Sequence, residues 1–224
     1  MSFDFKARRF TAGLGYPPAL RHQIWLGSFE PPQKEQLLTP AVRRELEGKD
    51  EFELVRKHWN QCDSSEDLDR LCYTDLRFYL QDDILFKVDR MSMAHALEVR
   101  APYLDHELVQ FVCSLKPELK LKGLTTKYIL KEAAQGILPE KIICRPKKGF
   151  GIPIAKWIKS DLKEIFKEVL SEETLSREGL FNPRWVNGLL EDHLQNRRDN
   201  RKTLWTLFVF ELWRQKRMPE LKCG

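Results

Sequence analysis

Residues 82–106 read DDILFKVDRMSMAHALEVRAPYLDH, and the organisation of the chain follows from how this stretch is read. Apolar and charged residues recur here at helical rather than alternating spacing, which predicts a helix over about Asp82 to Leu97. At about 100° per residue, Asp83, Lys87 and Arg90 fall on one narrow polar stripe. Ile84, Val88, Met91 and His95 form a neighbouring, mainly apolar stripe, and Asp89 points elsewhere. The polar stripe fits an ion-pair ladder on a solvated face, worth only about 0.3–0.5 kcal/mol per pair, and equally a ligand-facing surface. His95 fits a hydrogen-bonded core residue. Pro102 disfavours helical backbone in the residue before it, so Glu98 and Arg100 lie at a helix exit. There they either brace the turn as a pair or converge on a cleft. Asp105 is placed to cap a helix opening at His106.

Outward from this stretch, helix punctuation is frequent and strand signals are scarce. Thr39-Pro40 and Asn182-Pro183 each pair an N-cap residue with a first-turn proline, and Gly48 reads as a helix stop. Further helices are expected over 50–61, from Ser64 or Ser65 to about 80, and over 105–115, 126–135, 139–144, 153–169, 183–197 and 201–217. Loops are expected at 13–18, 117–124 and 145–153. The fold class is therefore mainly α, with no β-α-β alternation. The polar run SEETLSREG from Ser171 reads as a joint between a 1–170 portion and a 171–224 helical extension. In that extension Trp185, Leu189, Leu190, Trp205, Leu207, Phe208 and Leu212 recur as a core-type stripe.

Composition restricts the function classes. With 42% hydrophobic and 32% charged residues in 224, the chain is globular rather than disordered. A net charge of +5 suits either an anionic ligand or an ordinary solvated surface. Five cysteines, odd in number and without a C-x-x-C pair, argue against a disulfide framework or zinc site and for a reduced, cytoplasmic setting. No metal ligand set is expected. The apolar run Leu204–Trp213 is too short to span a bilayer and contains Glu211, so no membrane partner is expected.

Two further segments carry chemistry. Thr125-Thr126-Lys127-Tyr128-Ile129-Leu130 reads as a helix start, with Thr126 as N-cap and Lys127 at the first helical position. A lysine beside free backbone N–H groups suits phosphate or pyrophosphate. A solvated lysine explains it as well. The loop Arg145-Pro146-Lys147-Lys148-Gly149-Phe150-Gly151 concentrates cations beside glycines that permit close backbone approach. It suits polyphosphate, or nucleic acid with Phe150 stacked on a base. It lacks the G-x-x-x-x-G-K-[ST] spacing of a P-loop.

Taken together, KVDRMSMAHALEVRAPYLDH (87–106), TTKYILKEAAQGILPEKI (125–142) and RPKKGFGIPI (145–154) resemble the asparagine synthetase family. RRFTAGLGYPPALRHQIWLGSFEPPQKEQLLTP (8–40) looks like the family stretch that precedes them. The resemblance covers about residues 8–170. It implies the helical C-terminal portion of an α/β adenine-nucleotide α-hydrolase-like, PP-loop synthetase domain. It also implies a ligase that activates the aspartate side chain with Mg-ATP and transfers ammonia from glutamine to the acyl-adenylate. Lys127 matches the family's active-site lysine, and Glu98 is taken with it as catalytic. Asp83, Lys87, Asp89, Arg90 and Arg100 match the segment lining or bracing the adenylate pocket. Arg145, Lys147 and Lys148 match its basic loop.

The departures matter as much. The family's ATP loop S-G-G-x-D-S, its G-E-G-x-D-E motif and its cysteine-first glutaminase are absent from these residues, and residue 2 is Ser. The resemblance therefore implies a dependence on an N-terminal glutaminase and PP-loop polypeptide, in a truncated, split or degenerate form. A homodimer is compatible with it. Two alternatives stand beside it: a non-catalytic helical module binding nucleic acid or protein through Arg145–Lys148, and a relative that amidates another carboxylate or closes a lactam.

Overall fold

A buried pair of phenylalanines anchors the part of the chain with a core of its own. In the computed structural model, which describes residues 3–147, 149 and 151–218, Phe166 and Phe208 stack with ring centroids 4.0 Å apart. The described residues are mainly helical, with only two short strands. They divide into two compact units: residues 1–50 with 150–224, and residues 51–149.

The first unit begins with α1 (Phe3–Leu14), α2 (Pro18–Leu26), α3 (Pro31–Leu37) and α4 (Pro40–Glu45). The first three were not expected, because their apolar residues are sparse and prolines punctuate the stretch. The indole of Trp25 stacks on Phe10 and donates to the Phe10 carbonyl at 3.2 Å. A Cβ on Gly13 would lie 2.1 Å from Trp25 Nε1, so only glycine fits there. Gly48 adopts a positive φ of 76° as expected of a stop, although α4 ends three residues earlier, at Glu45.

The second unit contains α5 (Glu53–Gln61), α6 (Asp67–Thr74), a π-helical segment Asp75–Leu85 and α7 (Phe86–Met93). A 3-10 turn Pro102–Leu104, α8 (His106–Ser114) and α9 (Pro117–Lys120) follow. The unit ends with the antiparallel strands β1 (Leu121–Lys122) and β2 (Thr125–Thr126), then α10 (Tyr128–Ala133) and α11 (Glu140–Ile143). The hairpin and α9 occupy most of the expected 117–124 loop. Asp69 on α6 and Lys120 on α9 form a half-buried ion pair at 2.7 Å, and Lys120 also donates to the Cys113 carbonyl.

The chain then returns to the first unit with α12 (Ile154–Lys159), α13 (Lys163–Val169), α14 (Glu172–Glu178), α15 (Pro183–Leu194) and α16 (Arg201–Arg217). The single helix expected over 153–169 is broken at Ser160, whose backbone is not helical. The SEETLSREG stretch is a helix rather than a polar joint. The Ser171 hydroxyl accepts from Thr174 N, Gly179 closes the helix at φ 70°, and Leu175 is buried. Asn182 caps α15 through Trp185 N, as its Asn-Pro sequence indicates. Residues 37–39 pair with 180–182 across the antiparallel Leu38–Phe181 bridge. Trp185 Nε1 donates to Gln36 Oε1 at 2.7 Å, which ties α15 to α3. Ile158, Phe166, Leu175, Val186, Leu204 and Leu207 fill the core between these helices. Leu212, expected in the same stripe, is instead exposed.

One ionic group lies inside this unit. Glu178 on α14 and Glu211 and Arg214 on α16 are all buried, with Arg214 bonded to both carboxylates. Glu178 Oε2 and Glu211 Oε1 find no other partner among the described groups. Arg214 is the buried cation facing two buried carboxylates, and Arg177, 3.9 Å from Glu178 Oε1, is more than half exposed and screened by water, so a shared proton is the favourable state. Burial, and then the hydrogen bond and negative charge of Glu178, raise the Glu211 carboxyl to about 7 from an ordinary 4.5. The folded protein therefore holds a proton that the unfolded chain releases. Its stabilising contribution is complete below the unfolded value and is lost as pH rises through about 7. Thermal melts from about pH 5 to about pH 8 should show wild type losing stability with rising pH and Glu211→Gln losing much less. Parallel pH profiles would contradict the shared proton.

Candidate functional site

The residues expected to carry chemistry between 83 and 147 lie in the second unit, and all of those described are exposed. Lys148 and Phe150 lie outside the described residues. The backbone that presents the others departs from regular α-helix in three places.

The first is the π-helical segment. The two helices expected over 64–80 and 82–97 form one continuous helical run, Asp67–Met93, joined through Asp75–Leu85. A π turn closes i→i+5 bonds, so it shifts the register of everything after it, and such segments recur at functional sites. Asp82 and Asp83 sit at its end. Asp83 and Lys87 still meet as an i,i+4 pair at 3.9 Å, with both side chains more than half exposed. This is the solvated ion pair that the spacing allowed. Arg90 lies over the Phe86 ring at 5.0 Å. Asp89 is exposed, and its backbone carbonyl accepts from Ser92 Oγ at 3.1 Å.

The second is the end of α7. Leu97 N bonds to Ser92 O and Ala96 N to Met93 O, the paired pattern of a Schellman motif. Ala96 occupies its left-handed position at φ 54°, where glycine is usual. The α-helix therefore stops short of Leu97, and Glu98–Ala101 run on outside regular structure. His95 is consequently exposed in the turn rather than a core residue. Beyond it, Glu98 and Arg100 form an exposed ion pair at 2.7 Å, which is the bracing arrangement. Asp105 caps α8 through Glu107 N and Leu108 N.

The third is the approach to Lys127. Leu121 pairs with Thr126 and Lys122 with Thr125, leaving Gly123-Leu124 as a two-residue turn with Gly123 at φ 58°. Glycine at the first turn position suits a type II′ hairpin. Gly123-Leu124 carries that Gly-X signal in the sequence. Thr126 ends a strand, so it is not the N-cap. Lys127 itself takes that position, with left-handed backbone at φ 56°, ψ 38°. The helix it opens is only six residues long, so Lys127 is presented from the N-cap rather than from the first helical position expected. The lysine is instead held by the hairpin, beside Lys122, whose ammonium bonds the Tyr128 hydroxyl at 3.0 Å. Among the described residues, no ion pair or hydrogen bond joins Lys127, Arg145 or Lys147 to the charged stripe.

This is a helical unit that presents separate acidic and basic groups to solvent from α7, the turn after it and a short hairpin. The asparagine synthase family profile matches residues 12–215. Asparagine synthetase [glutamine-hydrolyzing] 1 of Bacillus subtilis strain 168 is 34% identical over 197 residues, covering 86% of this chain and 30% of that protein. A putative asparagine synthetase of Mycobacterium tuberculosis H37Rv is 34% identical over 145 residues, 64% of this chain and 22% of that protein. The human asparagine synthetase is 30% identical over 130 residues, 57% of this chain and 23% of that protein. No solved structure matches. The chain belongs to the asparagine synthase family, and it spans less than a third of the length of these relatives.

Left-handed backbone at a non-glycine residue costs roughly 1 kcal/mol. Ala96→Gly is expected to stabilise the second unit by about that amount in urea unfolding, because it relieves the Schellman position. Lys127→Gly should do the same while removing the ammonium. A loss of stability in Ala96→Gly would contradict the geometry given for the end of α7.

Proposed function

We propose that the second unit is one wall of an adenylating site in an ATP-dependent, amide-forming ligase, within a PP-loop synthetase domain of α/β type. The observation that carries this reading is the exposure of Lys127 on strained backbone within a chain of the asparagine synthase family. Strain of this kind persists where the surrounding structure over-determines it, and it clusters at functional positions.

The reaction needs an aspartate side-chain carboxylate to attack the α-phosphorus of ATP. Pyrophosphate leaves and β-aspartyl-AMP remains. Ammonia released from glutamine then attacks the acyl carbon, giving asparagine and AMP. Negative charge grows on the leaving pyrophosphate, where a fixed cation stabilises the transition state most. Lys127 takes that role. Arg145 and Lys147, and Lys148 beyond the described residues, are assigned to the polyphosphate. Glu98 is the second catalytic assignment. Arg100, Arg90 and Lys87 suit the carboxylates of aspartate, while Asp83 and Asp89 suit its ammonium or brace the cations. Magnesium enters on the nucleotide as Mg-ATP. The parts of the family's proteins that bear S-G-G-x-D-S and the glutaminase supply the ATP grip and the ammonia, in the cytosol.

Exchange of labelled pyrophosphate into ATP tests this directly. The chain alone should show none. Addition of an S-G-G-x-D-S-bearing polypeptide of the family should produce aspartate-dependent exchange, and Lys127→Ala should lower it by about a hundredfold or more. Exchange by the chain alone, or exchange indifferent to Lys127, would overturn the assignment.

A further inference from the structure

Two cysteines far apart in the sequence are brought together by the fold of the second unit. Cys72 lies on α6 and Cys113 on α8, and both are free thiols reachable from solvent. One lysine spans the space between their helices. The Lys120 ammonium bonds Asp69 Oδ1 at 2.7 Å and the Cys113 carbonyl at 3.2 Å. Asp69 precedes Cys72 by three residues, so the two share a face of α6. The Ser64 hydroxyl donates to the other Asp69 oxygen at 3.1 Å and fixes the carboxylate. Less than a fifth of either ion-pair side chain is exposed, so water screens the Lys120 bridge little. The electrostatics of Cys72 agree with this placement. Partial burial raises its thiol most, the Lys120 ammonium lowers it, and negative charge at Asp69, Asp75 and Cys113 raises it.

We propose that Cys72 and Cys113 form a redox-sensitive pair that closes reversibly to a disulfide by exchange with a small-molecule disulfide such as oxidised glutathione. The raised Cys72 thiol carries little thiolate, so Cys113 attacks first. Its thiolate displaces one glutathione thiolate from the S–S bond, and that leaving group takes up a proton. The Cys72 thiolate then attacks the Cys113 sulfur of the mixed disulfide and displaces the second glutathione. Two protein thiols are oxidised, and oxidised glutathione is reduced to two thiols. In a reducing compartment such a pair is transient and sensing rather than structural. The loop it closes, residues 72–113, holds the π segment, α7 and the turn after it. Asp83, Lys87, Asp89, Arg90, Glu98 and Arg100 all lie within that loop. Closure would therefore tie down both ends of the charged stretch. What that does to catalysis rests on the adenylating-site reading; the pairing itself does not.

The test is incubation of the full chain with oxidised glutathione, alkylation of the remaining thiols, and peptide mapping by mass spectrometry without reduction. The native chain should lose two free thiols to a link between Cys72 and Cys113, and dithiothreitol should restore both. Cys72→Ser should stop at a glutathione adduct on Cys113. Lys120→Met, which removes the bridge, should slow ring closure by about tenfold with helical circular dichroism retained, because it lowers the effective concentration of one thiol at the other. In urea the preference should pass to Cys62 and Cys72, the shortest loop open to an unfolded chain. Glutathione adducts without ring closure, a native link between other cysteines or between molecules, or closure indifferent to Lys120→Met would each overturn the proposal. No substrate enters the experiment, so a failed pyrophosphate exchange sinks the adenylating reading and leaves the thiol pair standing.

Discussion

An amphipathic helix is stable in water only when its apolar stripe is covered, and the two units of this chain meet that demand unequally. In the first, α12 to α16 turn Ile158, Phe166, Leu175, Leu204 and Leu207 onto one another, with α3 closing one side through Leu37. Each such side chain contributes about 1.5–3 kcal/mol when removed from water. That core is large enough to hold a buried Glu178–Glu211–Arg214 group inside it. Among the described residues of the second unit, the buried hydrophobic side chains are Val55 and Trp59 on α5, whereas Met91 on α7, Phe111 on α8 and Leu130 on α10 are exposed. Family membership and the exposed charges give this imbalance a meaning: the uncovered helices carry the residues assigned to chemistry.

Backbone devices, rather than packing, set the direction of those residues. The π segment rotates α7 relative to α6, the Schellman turn at Ala96 releases Glu98 and Arg100 from helix, and the hairpin delivers Lys127 in left-handed conformation. Each costs free energy or regularity. All three fall at or just before a residue proposed to meet aspartate or ATP. A π segment and a left-handed lysine are the kinds of departure expected where function outweighs local preference.

The mainly helical class, the caps at Asp105 and Asn182 and the core positions Leu189, Leu190, Leu207 and Phe208 were legible in the sequence. Caps and apolar spacing act locally, so they can be read locally. The π segment was not legible, because an i→i+5 register leaves no periodicity distinct from that of a neighbouring α-helix. Nor was the conformation of Lys127, since lysine has no preference that announces positive φ. The burial of His95 was misjudged for another reason. Periodicity shows which side chains would enter a core, not whether a core is there to receive them. Glu211 is the converse case: it sits in the most apolar run of the chain, and the structure buries it beside Glu178 and Arg214.

The described residues of the second unit bury few hydrophobic side chains and present an open wall. Hydrogen–deuterium exchange on the isolated chain tests it most directly, because amide protection follows local opening free energy. Helices α12 to α16 should be strongly protected, while α7, α8 and α10 should exchange within seconds to minutes. Protection of α7, α8 and α10 equal to that of α16 would contradict the account.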